Sequence, residues 1–122
     1  MENYKEKENV IVTKTFNFAL KIIGLYSILI KNSEYVLSKQ LLKSGTSIGA
    51  NVEESVAAQT KKEFISKMSI SAKEARETRY WLRLLDRSQL VKYNYSSYLT
   101  DIEEIIRIIT AIVKTSQTQI KK

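Results

Sequence analysis

The sequence predicts an all-α fold, an antiparallel up-down-up-down four-helix bundle that assembles as a homo-oligomer. Three observations predict it. Proline is absent from the 122 residues and glycine occurs 3 times, so the strongest chain breakers are missing. Apolar positions recur at helical spacing in four blocks, with turn chemistry between them. Two of those blocks are apolar over more of their circumference than a solitary bundle needs. A chain of this length forms one domain, 1–122, with an ordered core over about 10–115 and polar ends.

The first block runs from about Val10 to Lys31 and stops at Asn32-Ser33. Ser33 is a good N-cap for the second block, and Glu34 sits near its positive end. That block aligns Leu37, Leu41, Ile48, Val52 and Gln59, and is expected to end near Thr60. Thr60 caps the third block, with Glu63 three residues on as a capping box, and this helix is expected to reach Arg87. Asn94 or Ser96 caps the fourth, which is expected to run to Thr115. Connections this short make neighbouring helices antiparallel.

Helix 1 places Phe16, Ala19, Leu20, Ile23, Tyr26 and Ile30 on one face, and Phe18, Ile22, Leu25 and Leu29 on nearly the opposite one. Helix 4 spreads Tyr98, Leu99, Ile102, Ile105, Ile106, Ile108, Ile109, Ile112 and Val113 over about half its circumference, where a surface helix needs roughly 100°. Either helix 1 is central, or a second copy covers the excess. Patch size favours the second, with Phe18, Ile22, Leu25, Leu29, Ile108 and Ile112 as the expected oligomer interface.

Composition removes chemistries. Without Cys or His there is no thiol nucleophile, no imidazole acid–base pair and no usual zinc or haem site. Glu53, Glu54, Glu74, Glu77, Glu103 and Glu104 suggest a di-iron bundle, but that site needs Glu-x-x-His elements. No metal, cofactor or catalytic residue is expected, and the chain is expected not to be an enzyme. The amino terminus mixes charges and lacks the pattern of a signal peptide. The longest near-apolar run, Ile22 to Ile30, falls short of the ~20 residues of a spanning helix, so a cytoplasmic protein without a membrane partner is expected.

Gly45 and Gly49 lie four apart in the second helix, where each costs roughly 1 kcal/mol relative to alanine. Close approach of another helix accounts for them better than a phosphate loop, since no lysine follows the second glycine and no strand precedes the first. Ser44, Ser47, Asn51 and Glu54 form a polar line beside them. Together with Glu74 and Glu77 they read as a structural polar network that sets bundle register, in preference to a ligand site.

The net charge of +7 concentrates on helix 3, where Lys61 to Arg87 holds eight basic and four acidic residues. Arg76, Arg79, Arg83 and Arg87 fall within about 80° of one another at helical pitch. Lys62, Lys73 and Tyr80 border them. Like charges at i,i+4 weaken an isolated helix by a few tenths of a kcal/mol per pair. Phosphates would neutralise the stripe, and arginine suits them because it binds two oxygens at once. The competing reading is a solvated face paired with Glu54, Glu74 or Glu77.

Two stretches then identify a relationship. They are Leu37-Ser-Lys-Gln-Leu-Leu-Lys-Ser-Gly-Thr-Ser-Ile-Gly-Ala-Asn-Val-Glu-Glu54 and Lys67-Met-Ser-Ile-Ser-Ala-Lys-Glu-Ala-Arg-Glu-Thr-Arg-Tyr-Trp-Leu-Arg-Leu-Leu85. With Phe18-Ala-Leu-Lys21 and the Ile-rich fourth helix, the chain resembles the 23S rRNA-intervening sequence protein family from roughly Phe16 to Val113. The resemblance implies a homopentameric bundle without enzymatic activity. It also implies kinship with accessory factors of diversity-generating retroelements, in which a basic pentameric barrel binds nucleic acid and the reverse transcriptase. The family's most recognisable positions fall here on Ser44, Gly45, Ser47, Gly49, Asn51, Glu54, Glu74, Arg76, Glu77, Arg79, Tyr80 and Trp81. Two functions fit: an oligomeric accessory protein that binds RNA or DNA phosphates through helix 3, and a protein–protein scaffold that docks a polymerase or reverse transcriptase.

Overall fold

The structure, a computed structural model, describes the backbone of residues 4–121 and the side chains of residues 10–120. It is an all-helical bundle with no strand among the described residues: α1 Tyr4–Lys31, α2 Leu37–Val56, α3 Lys61–Ser88 and α4 Ser96–Lys121. α1 packs on α2, α2 on α3 and α3 on α4, and a thinner seam joins α4 to α1. α1 and α4 extend beyond the expected 10–115 core at both ends, and residues 1–3 and 122 lie outside the described ones.

Each helix buries a line of residues spaced alternately by four and three. In α1 the line is Ile11, Thr15, Phe18, Ile22, Leu25 and Leu29; in α3 it is Phe64, Met68, Ser71, Ala75, Thr78, Leu82 and Leu85. α2 contributes Ser38, Leu41, Gly45, Ile48, Val52 and Ser55, and α4 contributes Ile102, Ile105, Ile109, Ile112 and Ser116. This spacing keeps one seam facing its neighbours along a slightly supercoiled bundle. Each large aliphatic side chain so buried contributes about 1.5–3 kcal/mol.

The expected oligomer interface is corrected by this arrangement. Phe18, Ile22, Leu25, Leu29 and Ile112 belong to the chain's own core, and Ile108 is half-buried against it. The face left outside carries Phe16, Leu20 and Ile23, which are 60%, 54% and 48% exposed. Thr15 explains the inversion: its hydroxyl donates to the Ile11 carbonyl at 2.7 Å, so a polar residue completes the buried line. Val10–Lys31 is long and apolar enough to cross a membrane, a test that core helices also pass. Here it buries one face, and Lys14 and Lys21 pair with Glu104 and Asp101 of α4.

The two glycines of α2 are packing sites. A Cβ on Gly45 would lie 2.9 Å from Ile22 Cγ2, and one on Gly49 would lie 3.3 Å from the Thr15 carbonyl oxygen. α2 therefore meets α1 at backbone distance. On its other side, the Ser71 hydroxyl donates to the Ile48 carbonyl at 2.8 Å, and the Thr78 and Ser44 hydroxyls are hydrogen-bonded at 2.9 Å. Of the expected polar network, Ser44 makes a buried cross-helix hydrogen bond and Glu54 an exposed cross-helix ion pair. Ser47 and Asn51 bond back to Lys43 and Ser47 carbonyls within α2. Glu54 pairs with Lys67, and Glu77 accepts from the Trp81 indole. Side chains on the flank of α2 reach their own preceding turn more easily than a neighbouring helix.

The connections correct one cap and one helix end. Ser33 has a left-handed φ of 64° and is no N-cap. Glu34 does that work: its carboxylate accepts from the Val36 and Leu37 N–H groups at 3.0 Å and from Ser38 N–H. α2 ends at Val56, four residues before Thr60. Thr60 caps α3 as expected, its side chain accepting from Glu63 N–H at 3.0 Å. Asn94 accepts from Ser96 N–H at the start of α4 at 3.0 Å. Tyr95 is fully buried and its hydroxyl donates to the Val91 carbonyl at 2.8 Å, which anchors the α3–α4 connection.

Two stability predictions follow from these contacts. Gly45→Ala gains about 1 kcal/mol of helix propensity but meets overpacking of about 1–3 kcal/mol against Ile22, so it destabilises on balance. Gly24→Ala, whose Cβ meets nothing within 4 Å, stabilises by up to about 1 kcal/mol. Urea unfolding of both variants should give opposite signs. Burial raises the Glu34 carboxyl pKa, yet the Leu37, Ser38 and Val36 N–H groups and the Ser38 hydroxyl together hold it below the ordinary value. A depressed carboxylate pKa stabilises above the unfolded-state pKa and loses that contribution as pH falls through the folded one. Glu34→Gln should therefore cost about 1 kcal/mol at pH 7, and the difference from the parent should shrink as pH falls below the ordinary carboxylate range in the same assay.

Candidate nucleic-acid interface

The inward contacts of Ser71, Thr78 and Leu82 fix the rotation of α3. Its arginines consequently lie on the flank toward α4 and solvent. The stripe is not electrically uniform. Arg79 Nη1 pairs with Glu103 of α4 at 3.0 Å. Arg76 reaches only the Ala72 carbonyl at 3.4 Å and the Thr110 hydroxyl at 3.5 Å. Arg83, Arg87, Lys62 and Lys73 are exposed, and among the described residues they form no ion pair. Tyr80 is 55% exposed and stands edge-on to Trp81, with ring centroids 5.1 Å apart.

The sequence reading expected any acidic partners of this stripe to be Glu54, Glu74 or Glu77. The actual partner is Glu103. Among the described residues none of the other three pairs with the stripe: Glu54, on α2, meets Lys67 on the α2-facing flank of α3. There, burial and the neighbouring Glu77 raise the Glu74 carboxyl above its ordinary range. Glu54 raises the Lys67 ammonium by hydrogen bond and charge.

α4 borders two grooves of contrasting charge. Between α1 and α4, a groove of about 170 Å³ is lined by Lys14, Asn17, Phe18, Lys21, Asp101, Glu104 and Ile105. Both lysines are neutralised by the two acids across it. Lys21 also lies 4.8 Å from the centre of the Tyr98 ring. Burial, followed by the hydrogen bond and charge of Tyr93, pushes the Tyr98 phenol up to about 12. Between α3 and α4, a groove of about 240 Å³ is lined by Ser69, Ala72, Arg76, Thr110, Val113, Lys114 and Gln117. It has two cations and no carboxylate.

Sequence reasoning found Arg76 but missed Ser69, Thr110, Lys114 and Gln117. Lys114 lies on a helix read for its apolar face and its carboxylates. The usable signal was the i, i+3, i+4, i+7 spacing of Thr110, Val113, Lys114 and Gln117, which puts them on one face. A third, apolar groove of about 190 Å³ lies between α1 and α2, lined by Val12, Phe16, Ala19, Thr46, Gly49, Ala50 and Glu53.

Comparisons with known proteins agree on a family. A solved structure from Bacteroides thetaiotaomicron, described as a protein of unknown function from the S23 ribosomal protein family, is 44% identical to this chain. It superposes with a TM-score of 0.84, over 88% of this chain and 98% of that one. No curated protein matches. The model of the 23S rRNA-intervening sequence protein family matches residues 7–111. Motifs, fold and match together place the chain in one group: it belongs to the 23S rRNA-intervening sequence protein family.

Proposed function

We propose that this chain is a non-enzymatic, cytoplasmic accessory protein that binds the phosphates of RNA or DNA as a homo-oligomer, with a pentamer favoured by the family resemblance. The observation that carries the reading is the set of basic side chains on the outer flank of α3. Arg76, Arg83, Arg87, Lys62 and Lys73 are exposed and form no ion pair among the described residues. A concentration of unneutralised positive charge is the usual electrostatic footprint of a nucleic-acid binder. Kinship with retroelement accessory factors is part of the same proposal.

The helices are arranged up-down-up-down in this reading. Support comes from contacts whose order reverses between neighbours: Ile22 with Gly45 and Thr15 with Gly49, Ser44 with Thr78 and Ile48 with Ser71, Arg79 with Glu103 and Arg76 with Thr110. A second copy of the chain covers the α1 face of Phe16, Leu20 and Ile23. Phe16 also lines the apolar groove against α2, and all three exposed side chains are large for a face left in water.

Binding should be strongly salt-dependent and largely independent of sequence. Arg83→Glu with Arg87→Glu should weaken RNA binding at least tenfold in fluorescence anisotropy at about 100 mM salt, while Arg79→Ala, already paired with Glu103, costs less than threefold. Affinity that ignores both salt and these charges would overturn the reading in favour of a protein scaffold. For assembly, Phe16→Glu with Leu20→Glu should yield helical monomers in sedimentation velocity. An assembly of unchanged mass would remove α1 as the interface.

A further inference from the structure

The groove between α3 and α4 differs from its counterpart between α1 and α4 in one respect that matters chemically. In the α1–α4 groove each cation has an acid beside it. In the α3–α4 groove Arg76 and Lys114 line the same depression, no carboxylate lines it, and neither forms an ion pair among the described residues. Ser69, Thr110 and Gln117 add three neutral donors, and Ala72 and Val113 supply apolar wall. Arg76 is held only by contacts of 3.4 and 3.5 Å, at the long edge of hydrogen bonding. Its guanidinium can turn to a better acceptor at little cost.

This donor set matches a tetrahedral oxyanion. Arginine offers two parallel N–H donors, lysine a point charge, and hydroxyls and amide the remaining positions around the oxygens. Beside low-dielectric walls those charge-assisted bonds are stronger than on an open helix face. Arg83 and Arg87 continue along α3 from Arg76, so a backbone held here would meet further cations along that helix. We propose that the α3–α4 groove docks one phosphodiester of an RNA strand, through Arg76 and Lys114 with Ser69, Thr110 and Gln117, and so fixes where the strand crosses the bundle. This inference rests on the nucleic-acid reading above.

The test uses the full chain and a fluorescent uridine 12-mer RNA, followed by anisotropy between about 50 and 200 mM salt. Arg76→Ala with Lys114→Ala should weaken binding about tenfold or more. It should also flatten the log–log salt slope by about 0.7, the share of one phosphate on a single strand. Lys31→Ala with Lys39→Ala, which removes equal charge outside the groove, should change affinity less than threefold. In a second arm, inorganic phosphate should shift the backbone amide resonances of Thr110 and Lys114 and compete with the RNA. If the RNA binds and both double variants lose affinity equally, the groove is not the docking point, while the nucleic-acid reading stands. Phosphate that shifts those amides without displacing RNA would assign the groove to a free anion and overturn RNA docking. A parent chain that binds no RNA would overturn both the reading and the inference.

Discussion

The approach of α2 to α1 at backbone distance is the constraint on which the other packing depends. Gly49 leaves room for the Thr15 carbonyl, and Gly45 leaves room for the branched side chain of Ile22. Neither helix can rotate or slide without driving a Cβ or a methyl into its neighbour. Once α2 is so placed, its other side presents Ser44 and the Ile48 carbonyl to α3, and the Thr78 and Ser71 hydroxyls take them up. These hydrogen bonds are buried, so any other rotation of α3 would strand polar groups at a cost of about 1–3 kcal/mol each. Small residues thus set the phase of three helices, and bulky ones fill what remains.

Phase decides which side chains are left to work at the surface. With Thr78 and Leu82 inward, the arginines of α3 must emerge toward α4. With Ile105 and Ile109 inward, Glu103 meets Arg79 while Thr110 and Lys114 border Arg76. The ion pairs themselves are part-exposed and each is worth only about 0–1 kcal/mol. Their larger effect is to settle which cations remain free for a partner.

The all-helical class, the four helices and the Thr60 cap were legible in the sequence, because helical periodicity and capping are local properties. The core face of α1 was not. Counting only large apolar residues sets Phe16, Leu20 and Ile23 on equal terms with Phe18, Ile22 and Leu25. What separates them is Thr15, a polar residue that satisfies its hydroxyl within its own turn and so continues the buried line. Ser38, Ser55, Ser71 and Ser116 continue the lines of the other helices as buried polar members. The start of α2 misled for a similar reason: Ser33 is the residue type of an N-cap, but the cap position falls on Val36, and the Glu34 carboxylate two residues before it reaches three N–H groups. The candidate site was half legible. Arg76, Arg83 and Arg87 share a helix and show in its periodicity, whereas Lys114 joins Arg76 only through the seam between two helices.

The surplus of +7 acquires a location once α4 is in place. Asp101, Glu103 and Glu104 lie on one stretch of that helix, and each takes a different cation: Lys21, Arg79 and Lys14. Spending all three on α1 and on the middle of α3 screens one seam and leaves the other positive. Beyond Glu104, the sequence of α4 carries no acid, and its Lys114 lines the groove with α3. The electrostatic asymmetry between the two seams therefore comes from the order of charges along a single helix, which neither net charge nor the arginine spacing of α3 reveals.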